Sequence, residues 1–270
     1  RDLEIMNKFL KYIELNLTEL CNYTCTFCPR GHGYPNLNYH MTPETVDEIV
    51  KQVKELNQPI HIQLAGRGEP TLNKYFDVIL QKLLDLRKVA DVKLEINTNG
   101  KWLDKYLPLI EQMDYVVHNI YAENPANPVD VQKKYPNFRV KDKKDASSRN
   151  WKTRSGYIPD QAYSEPDYYH PRYGGMCHKP FEVVYIDWQG NYNLCCDVWK
   201  DIEVLGNIFK TSIKEHTTHN KRLKEYRNRL AKGKRDMKPC VDCNIQCSVE
   251  FLDQLEKMLE KQIKGVISLF

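Results

Sequence analysis

No stretch of this 270-residue sequence approaches the apolar length that a bilayer span needs, and Arg1-Asp2-Leu3-Glu4 offers no apolar signal region. Membrane insertion and secretion are therefore not expected. Neither charge dominates: 40 basic against 36 acidic residues leave a net +4, too little for the global field alone to mark a nucleic-acid binder. Internal repeats and low-complexity tracts are lacking as well. A cytoplasmic protein in a reducing compartment is the expectation, long enough for one substantial core or a core with a small appendage.

Cysteine, by contrast, is plentiful. In that compartment the nine cysteines read as metal ligands rather than disulfides. Three of them crowd into Cys21-Asn22-Tyr23-Thr24-Cys25-Thr26-Phe27-Cys28, directly after the alternating segment from Lys11 to Leu17. A ferredoxin-type [4Fe–4S] cluster takes four thiolates, so three leave one iron open to another ligand. Structural zinc is the alternative, with His32 or His40 as a fourth donor.

Strand-like and helix-like segments alternate from there. Thr42-Pro43-Glu44 is a helix start, with a capping hydroxyl, Pro at the first helical position and an acid in the first turn. Strands are expected over Pro59–Leu64, Val92–Ile96, Tyr115–Val117 and Asn137–Val140, and helices over Tyr75–Val89 and Trp102–Met113. Such β–α units imply a parallel sheet curled by right-handed crossovers, with function at the carboxyl ends of its strands. The cysteine loop, Gly66-Arg67-Gly68-Glu69-Pro70 and Asn97-Thr98-Asn99-Gly100 all fall at such ends.

A second unit opens near Cys177. Val183–Ile186 and Asn191–Leu194 flank Asp187-Trp188-Gln189-Gly190 as a hairpin. One helix over Ser212–Ala231, the pair Cys240 and Cys243, and an amphipathic helix over Val249–Ile267 follow. Cys177, Cys195, Cys240 and Cys243 offer four thiolates, which close a coordination sphere around structural zinc or an iron–sulfur cluster.

The Cys-x3-Cys-x2-Cys run, with Phe27 directly before its last cysteine, resembles the cluster motif of the radical S-adenosylmethionine (radical SAM) superfamily. The later cysteines, with Gly190-x4-Cys195 and Leu205-Gly206-Asn207-Ile208, resemble its "twitch" domain, a shortened SPASM domain. Their spacing is similar to that of the 2-deoxy-scyllo-inosamine dehydrogenase type of aminocyclitol biosynthesis. The resemblance implies an α/β fold: a partial (β/α)6 TIM-like barrel over 1–160, then over 161–270 a small α+β twitch domain of hairpin plus helix.

It also implies ligands. Cys21, Cys25 and Cys28 would hold a [4Fe–4S] cluster whose open iron chelates SAM, and Cys177, Cys195, Cys240 and Cys243 an auxiliary [4Fe–4S] cluster. Cys196, expected to face away from Cys195, and Cys247 remain packing residues. Gly66, Gly68 and Glu69 would meet the SAM amino group, Phe27 the adenine, and Asn97, Thr98 and Asn99 the ribose position, where a helix cap is the structural alternative. Arg154 would pair with the SAM carboxylate, with Arg149 near enough to compete.

The implied reaction cleaves SAM to a 5′-deoxyadenosyl radical that takes hydrogen from a small sugar-, cyclitol- or nucleotide-like substrate. An electron then passes to the auxiliary cluster, a flavodoxin or ferredoxin acts as external electron donor, and His118, Tyr121 or His32 accepts a proton. Two other readings compete. One is a peptide- or protein-modifying maturase, for which no leader-binding domain is expected before the first strand. The other is a zinc-stabilised nucleic-acid binder using the basic run Lys221, Arg222, Lys224, Arg227, Arg229, Lys232, Lys234, Arg235 and Lys238.

Overall fold

The computed structural model describes residues 10–120, 135–142, 154, 157–158, 176–200 and 202–243. Tyr121, Arg149, Cys247 and the expected helix over 249–267 lie outside them. Strands β1 (Tyr12–Asn16), β2 (Ile60–Ala65), β3 (Val92–Thr98), β4 (Tyr115–Ile120) and β5 (Phe138–Asp142) run parallel as neighbours. Helices α1 (Pro43–Leu56), α2 (Phe76–Arg87) and α3 (Leu103–Ile110) connect them in turn. The chain starts α1 as its sequence requires: the Thr42 side chain accepts from the Thr45 backbone N–H, and Asn57 ends the helix at φ 48°.

The later part of the chain continues the same sheet. After the short α4 (Lys179–Glu182), β6 (Val183–Ile186) pairs parallel with β1, then β7 (Asn191–Asn193) and β8 (Val204–Asn207) follow antiparallel. The order is β5-β4-β3-β2-β1-β6-β7-β8. The fold is thus an α/β partial barrel of mixed sheet, with the hairpin grown from its β1 edge. Sequence reading missed β8, whose Gly206 interrupts any alternating pattern.

Residue parity separates two faces. Ile13, Leu15, Ile62, Leu64, Leu94, Ile96 and Val116 form one buried core with Val46, Ile49, Ile79 and Leu83 from α1 and α2. Register places Glu14, Gln63, Glu95 and Tyr185 together on the opposite face. Helices on one side and polar groups on the other leave that second face for chemistry.

The expected single helix over Ser212–Ala231 is two: α5 (Ile213–His219) and α6 (Lys221–Leu230). Asn220 breaks it at φ −62° and ψ 113°, its side chain accepting from the Leu223 N–H and donating to the Leu205 carbonyl. Beside the break, His216 is 2% exposed and stacks on Tyr192 with ring centroids 4.1 Å apart. Burial lowers its pKa from 6.5 to about 3. Because the folded value lies below the unfolded one, this contribution is whole above pH 6.5 and is lost as pH falls toward 3. Melting curves from pH 7.5 to 4.5 should therefore show His216→Phe losing up to roughly 1.4 kcal/mol less per pH unit than wild type. Equal slopes would contradict a neutral buried imidazole.

Candidate cluster sites and the mouth between them

Because β1, β2 and β3 are parallel, the segments leaving them share one edge, and hydrogen bonds tie them together. The Glu69 N–H donates to the Leu20 carbonyl (2.9 Å), and Asn99 Nδ2 donates to Asn22 Oδ1 (2.9 Å) inside the cysteine loop. A Cβ on Gly68 would lie 2.2 Å from the Thr18 carbonyl oxygen, so only glycine permits this approach. Gly68→Ala should push the turn off the cysteine loop and weaken SAM binding roughly tenfold or more, since about 1.4 kcal/mol suffices. Calorimetric titration of the anaerobic protein with SAM checks it.

The Glu69 carboxylate is the brace of this mouth. It is 3% exposed and accepts from the Thr71 N–H (3.2 Å), Thr71 Oγ1 (2.7 Å), Thr98 Oγ1 (2.7 Å) and the Asn99 N–H (2.7 Å). Three of these bonds fall on Oε1 and only one on Oε2, so Oε2 keeps a lone pair for the expected ammonium; burial raises the carboxyl pKa. Asn97, Thr98 and Asn99 also divide their work. Thr98 holds Glu69, Asn99 Oδ1 accepts from the Lys101 N–H as a turn cap, and Asn97 donates to Glu95 Oε1 on the polar face. Asn97 is therefore the one of the three turned toward the barrel interior.

In the cysteine loop, the Cys28 N–H donates to the Cys25 carbonyl (2.9 Å), a turn that places the second and third cysteines close. Burial raises the Cys21 pKa, and nearby Glu69 and Cys28 add to the effect. Phe27, half-buried, shares the loop. Sequence reading missed its clamp, Arg30. That guanidinium is buried and donates to the carbonyls of Glu19, Pro35 (2.8 Å) and Arg67 (2.9 Å) and to Asn36 Oδ1 (3.1 Å). An arginine between cysteines and a glycine turn carries no pattern that would have singled it out.

Cys177, Cys195, Cys240 and Cys243 line one small cavity with Lys179, Leu194 and Arg235. Burial and the neighbouring thiols Cys177 and Cys243 push the Cys240 pKa up to about 12. A thiol held protonated by burial beside its neighbours is what a bound metal centre would reverse. The Asp197 N–H also donates to Cys195 Sγ (3.4 Å), and two cationic side chains offset thiolate charge. The donor set therefore fits an iron–sulfur cluster.

A narrow polar cleft of about 20 Å³, room for one water, is lined by Glu14, Asn16, Gly66, Arg67, Tyr185, Asn193, Cys195 and Cys196, among others. Its walls reach from the glycine turn to an auxiliary-site cysteine. Cys196 does not face away from Cys195, because β7 ends at Asn193 and both cysteines sit in the following turn, where strand alternation no longer holds. Cys195 Sγ, Cys196 Sγ and an Asp197 carboxylate oxygen lie within 4.8 Å of one another. Arg154, expected at the SAM carboxylate, donates one guanidinium nitrogen to Asp197 Oδ1 at 2.5 Å, while its buried Nε makes no hydrogen bond among the described residues and Cys28 is near enough to act on its charge. Glu14, also missed, is buried on β1; burial and then Cys196 raise its pKa well above the usual carboxylate range.

The expected proton acceptors fare differently. His118 packs beneath the Asn99-Gly100 turn, where a Gly100 Cβ would come 2.0 Å from its Nε2, on the parity of Thr98 rather than of Asn97. Its pKa is lowered by burial. His32 Nε2 lies 2.6 Å from the Thr26 carbonyl oxygen, and His40 contacts Thr18 and Asn38, so both imidazoles serve loop structure. Within the basic run, Arg222 pairs with Glu203 and Glu225, Arg229 with Asp236, and buried Arg227 donates to the Pro180 and Thr217 carbonyls. A continuous phosphate track along α6 is thereby removed. Among the described residues, no helix is long and apolar enough to cross a membrane.

Comparison with known proteins agrees with this geometry. Residues 15–146 match the radical SAM superfamily, and residues 177–244 match an iron–sulfur cluster-binding domain of the SPASM kind. The S-adenosyl-L-methionine-dependent 2-deoxy-scyllo-inosamine dehydrogenase of Niallia circulans is 23% identical over 94% of this chain and 100% of its own length. A GTP 3′,8-cyclase of Aquifex aeolicus is 30% identical over 46% of this chain, and the match spans 39% of that enzyme. The crystal structure of BtrN in complex with AdoMet and 2-DOIA superposes with a TM-score of 0.74 at 21% identity, covering 87% of this chain and 93% of that one. The chain belongs to the radical SAM superfamily, as an enzyme that uses SAM and a [4Fe–4S] cluster and carries a second, SPASM-type iron–sulfur domain after its barrel.

Proposed function

We propose that the protein is a dehydrogenase-type oxidoreductase acting on a small sugar-, cyclitol- or nucleotide-like alcohol. The observation that carries this is that the glycine turn after β2 and the auxiliary-site Cys195 after β7 line one narrow polar cleft, so the two cysteine groups flank the same face of the sheet. Cys21, Cys25 and Cys28 hold the SAM-binding cluster, and Cys177, Cys195, Cys240 and Cys243 an auxiliary [4Fe–4S] cluster. We place the unit boundary at residues 160 and 161, with β6 serving both units.

When bound, SAM and the clusters supply a 5′-deoxyadenosyl radical and an electron acceptor. The chain's own residues supply the rest. Gly66 and Gly68 let backbone approach the SAM amino group, Asn97 faces the ribose and Phe27 the adenine. Glu14, a buried carboxyl lining the cleft beside Cys196, is the candidate for exchanging the hydroxyl proton. The Arg154–Asp197 pair sits beside Cys195 and Cys196. The full-length likeness to a dehydrogenase of a cyclitol-type substrate supports this class, and a flavodoxin or ferredoxin serves as the external electron donor.

The test is anaerobic incubation with SAM, a reductant and a panel of cyclitols, phosphosugars and nucleotides, read by mass spectrometry. The expected result is a product two hydrogens lighter than one panel member, formed with deoxyadenosine. A modified peptide as the only product, with every small alcohol inert, would contradict the proposal.

A further inference from the structure

Arg67 stands where a turn that receives SAM needs only backbone, yet its side chain is 10% exposed and fully employed. One guanidinium nitrogen donates to Glu19 Oε1 (3.1 Å), at the entry to the cysteine loop. Another donates to the Val198 carbonyl (3.1 Å), three residues beyond Cys195. Its backbone is held too: the Arg67 N–H donates to Asn16 Oδ1, and its carbonyl accepts from Arg30. The carboxylate it grips is itself fixed, since Glu19 accepts from Asn16 Nδ2 (3.1 Å) and Tyr34 Oη (3.3 Å). Tyr34 in turn meets the ring of Trp199 edge-on at 4.8 Å. One planar fork thus joins the glycine turn, the approach to the three-cysteine loop and the segment carrying an auxiliary-site cysteine.

We propose that Arg67 is a positioning residue that couples the two cluster sites, so that filling the auxiliary site tightens SAM binding at the first. This rests on the assignment of both cysteine sets above. A guanidinium suits the task because its donors are fixed in one plane and reach two acceptors at once. Lysine keeps the charge but cannot span both. Coupling of this kind is reciprocal, and it is measured as the ratio of SAM affinities with and without the second centre.

The experiment follows the SAM-induced change in the electron paramagnetic resonance signal of the reduced three-cysteine cluster. It compares wild type, Cys240→Ser, Arg67→Met, Arg67→Lys and each double variant, with iron analysis on every sample. Cys240→Ser should weaken SAM binding roughly five- to tenfold when Arg67 is present. The same change should cost less than about twofold in the Met and Lys backgrounds. An equal ratio in all backgrounds, or no effect of Cys240→Ser in wild type, would overturn the coupling. If Arg67→Met fails to fold, the Lys background decides alone. Wild-type iron content in Cys240→Ser would contradict the auxiliary-site assignment itself, a separate failure that would take the coupling with it.

Discussion

Replacing Cys240 by serine should remove about half of the bound iron, because four-thiolate sites hold their cluster through all four ligands. It should nevertheless leave SAM cleavage in place. The three-cysteine loop is braced by Arg30, Glu69 and Asn99, and none of these hydrogen bonds involves Cys240. At saturating SAM, deoxyadenosine formation therefore continues within a few-fold of wild type, while net oxidation falls by two orders of magnitude or more, on the order of 3 kcal/mol at the limiting step. The two quantities are measured together by chromatography of one anaerobic reaction. Product formed at the wild-type rate would remove the auxiliary centre from the reaction.

The second large effect is expected at Glu69. In Glu69→Gln one carboxylate oxygen becomes an amide donor, and whichever way the amide turns it faces a backbone N–H, of Asn99 or of Thr71. Leaving such a group unsatisfied in a buried site costs about 1–3 kcal/mol. Glu69→Ala removes every acceptor at once and should cost roughly 3–5 kcal/mol, on the scale of breaking a buried charged network. Because the brace joins the turns after β2 and β3, the loss is expected in SAM affinity before global unfolding. Titration with SAM, set beside a melting curve, separates the two. Unchanged affinity in Glu69→Gln would show that the mouth does not depend on this carboxylate.

The cysteine spacing made both cysteine groups legible in the sequence, and the β–α alternation made the parallel strands legible, because ligand number and hydrophobic period are local properties. What escaped was decided by side chains meeting across the fold. Arg30, Arg67 and Glu14 acquire meaning only when β1, β2 and the hairpin are brought together. His118 was expected near the mouth because it ends a strand stretch, but register puts it on the parity of Thr98, under Gly100. The pairing of Arg154 with Asp197 carried no local signal, since the two residues are 43 positions apart. Asn220 read as one residue of a long helix because an internal cap has the same composition as a helix start.

The central claim is that one iron of a three-cysteine cluster is left open to SAM. The direct measurement is deoxyadenosine released when anaerobically reconstituted protein is mixed with dithionite and SAM, alongside its iron, sulfide and zinc content. Iron and sulfide in matched amounts, with deoxyadenosine appearing in wild type and absent in Cys28→Ser, is the predicted result. Zinc alone in the reconstituted protein, or iron-loaded protein that never cleaves SAM, would contradict it.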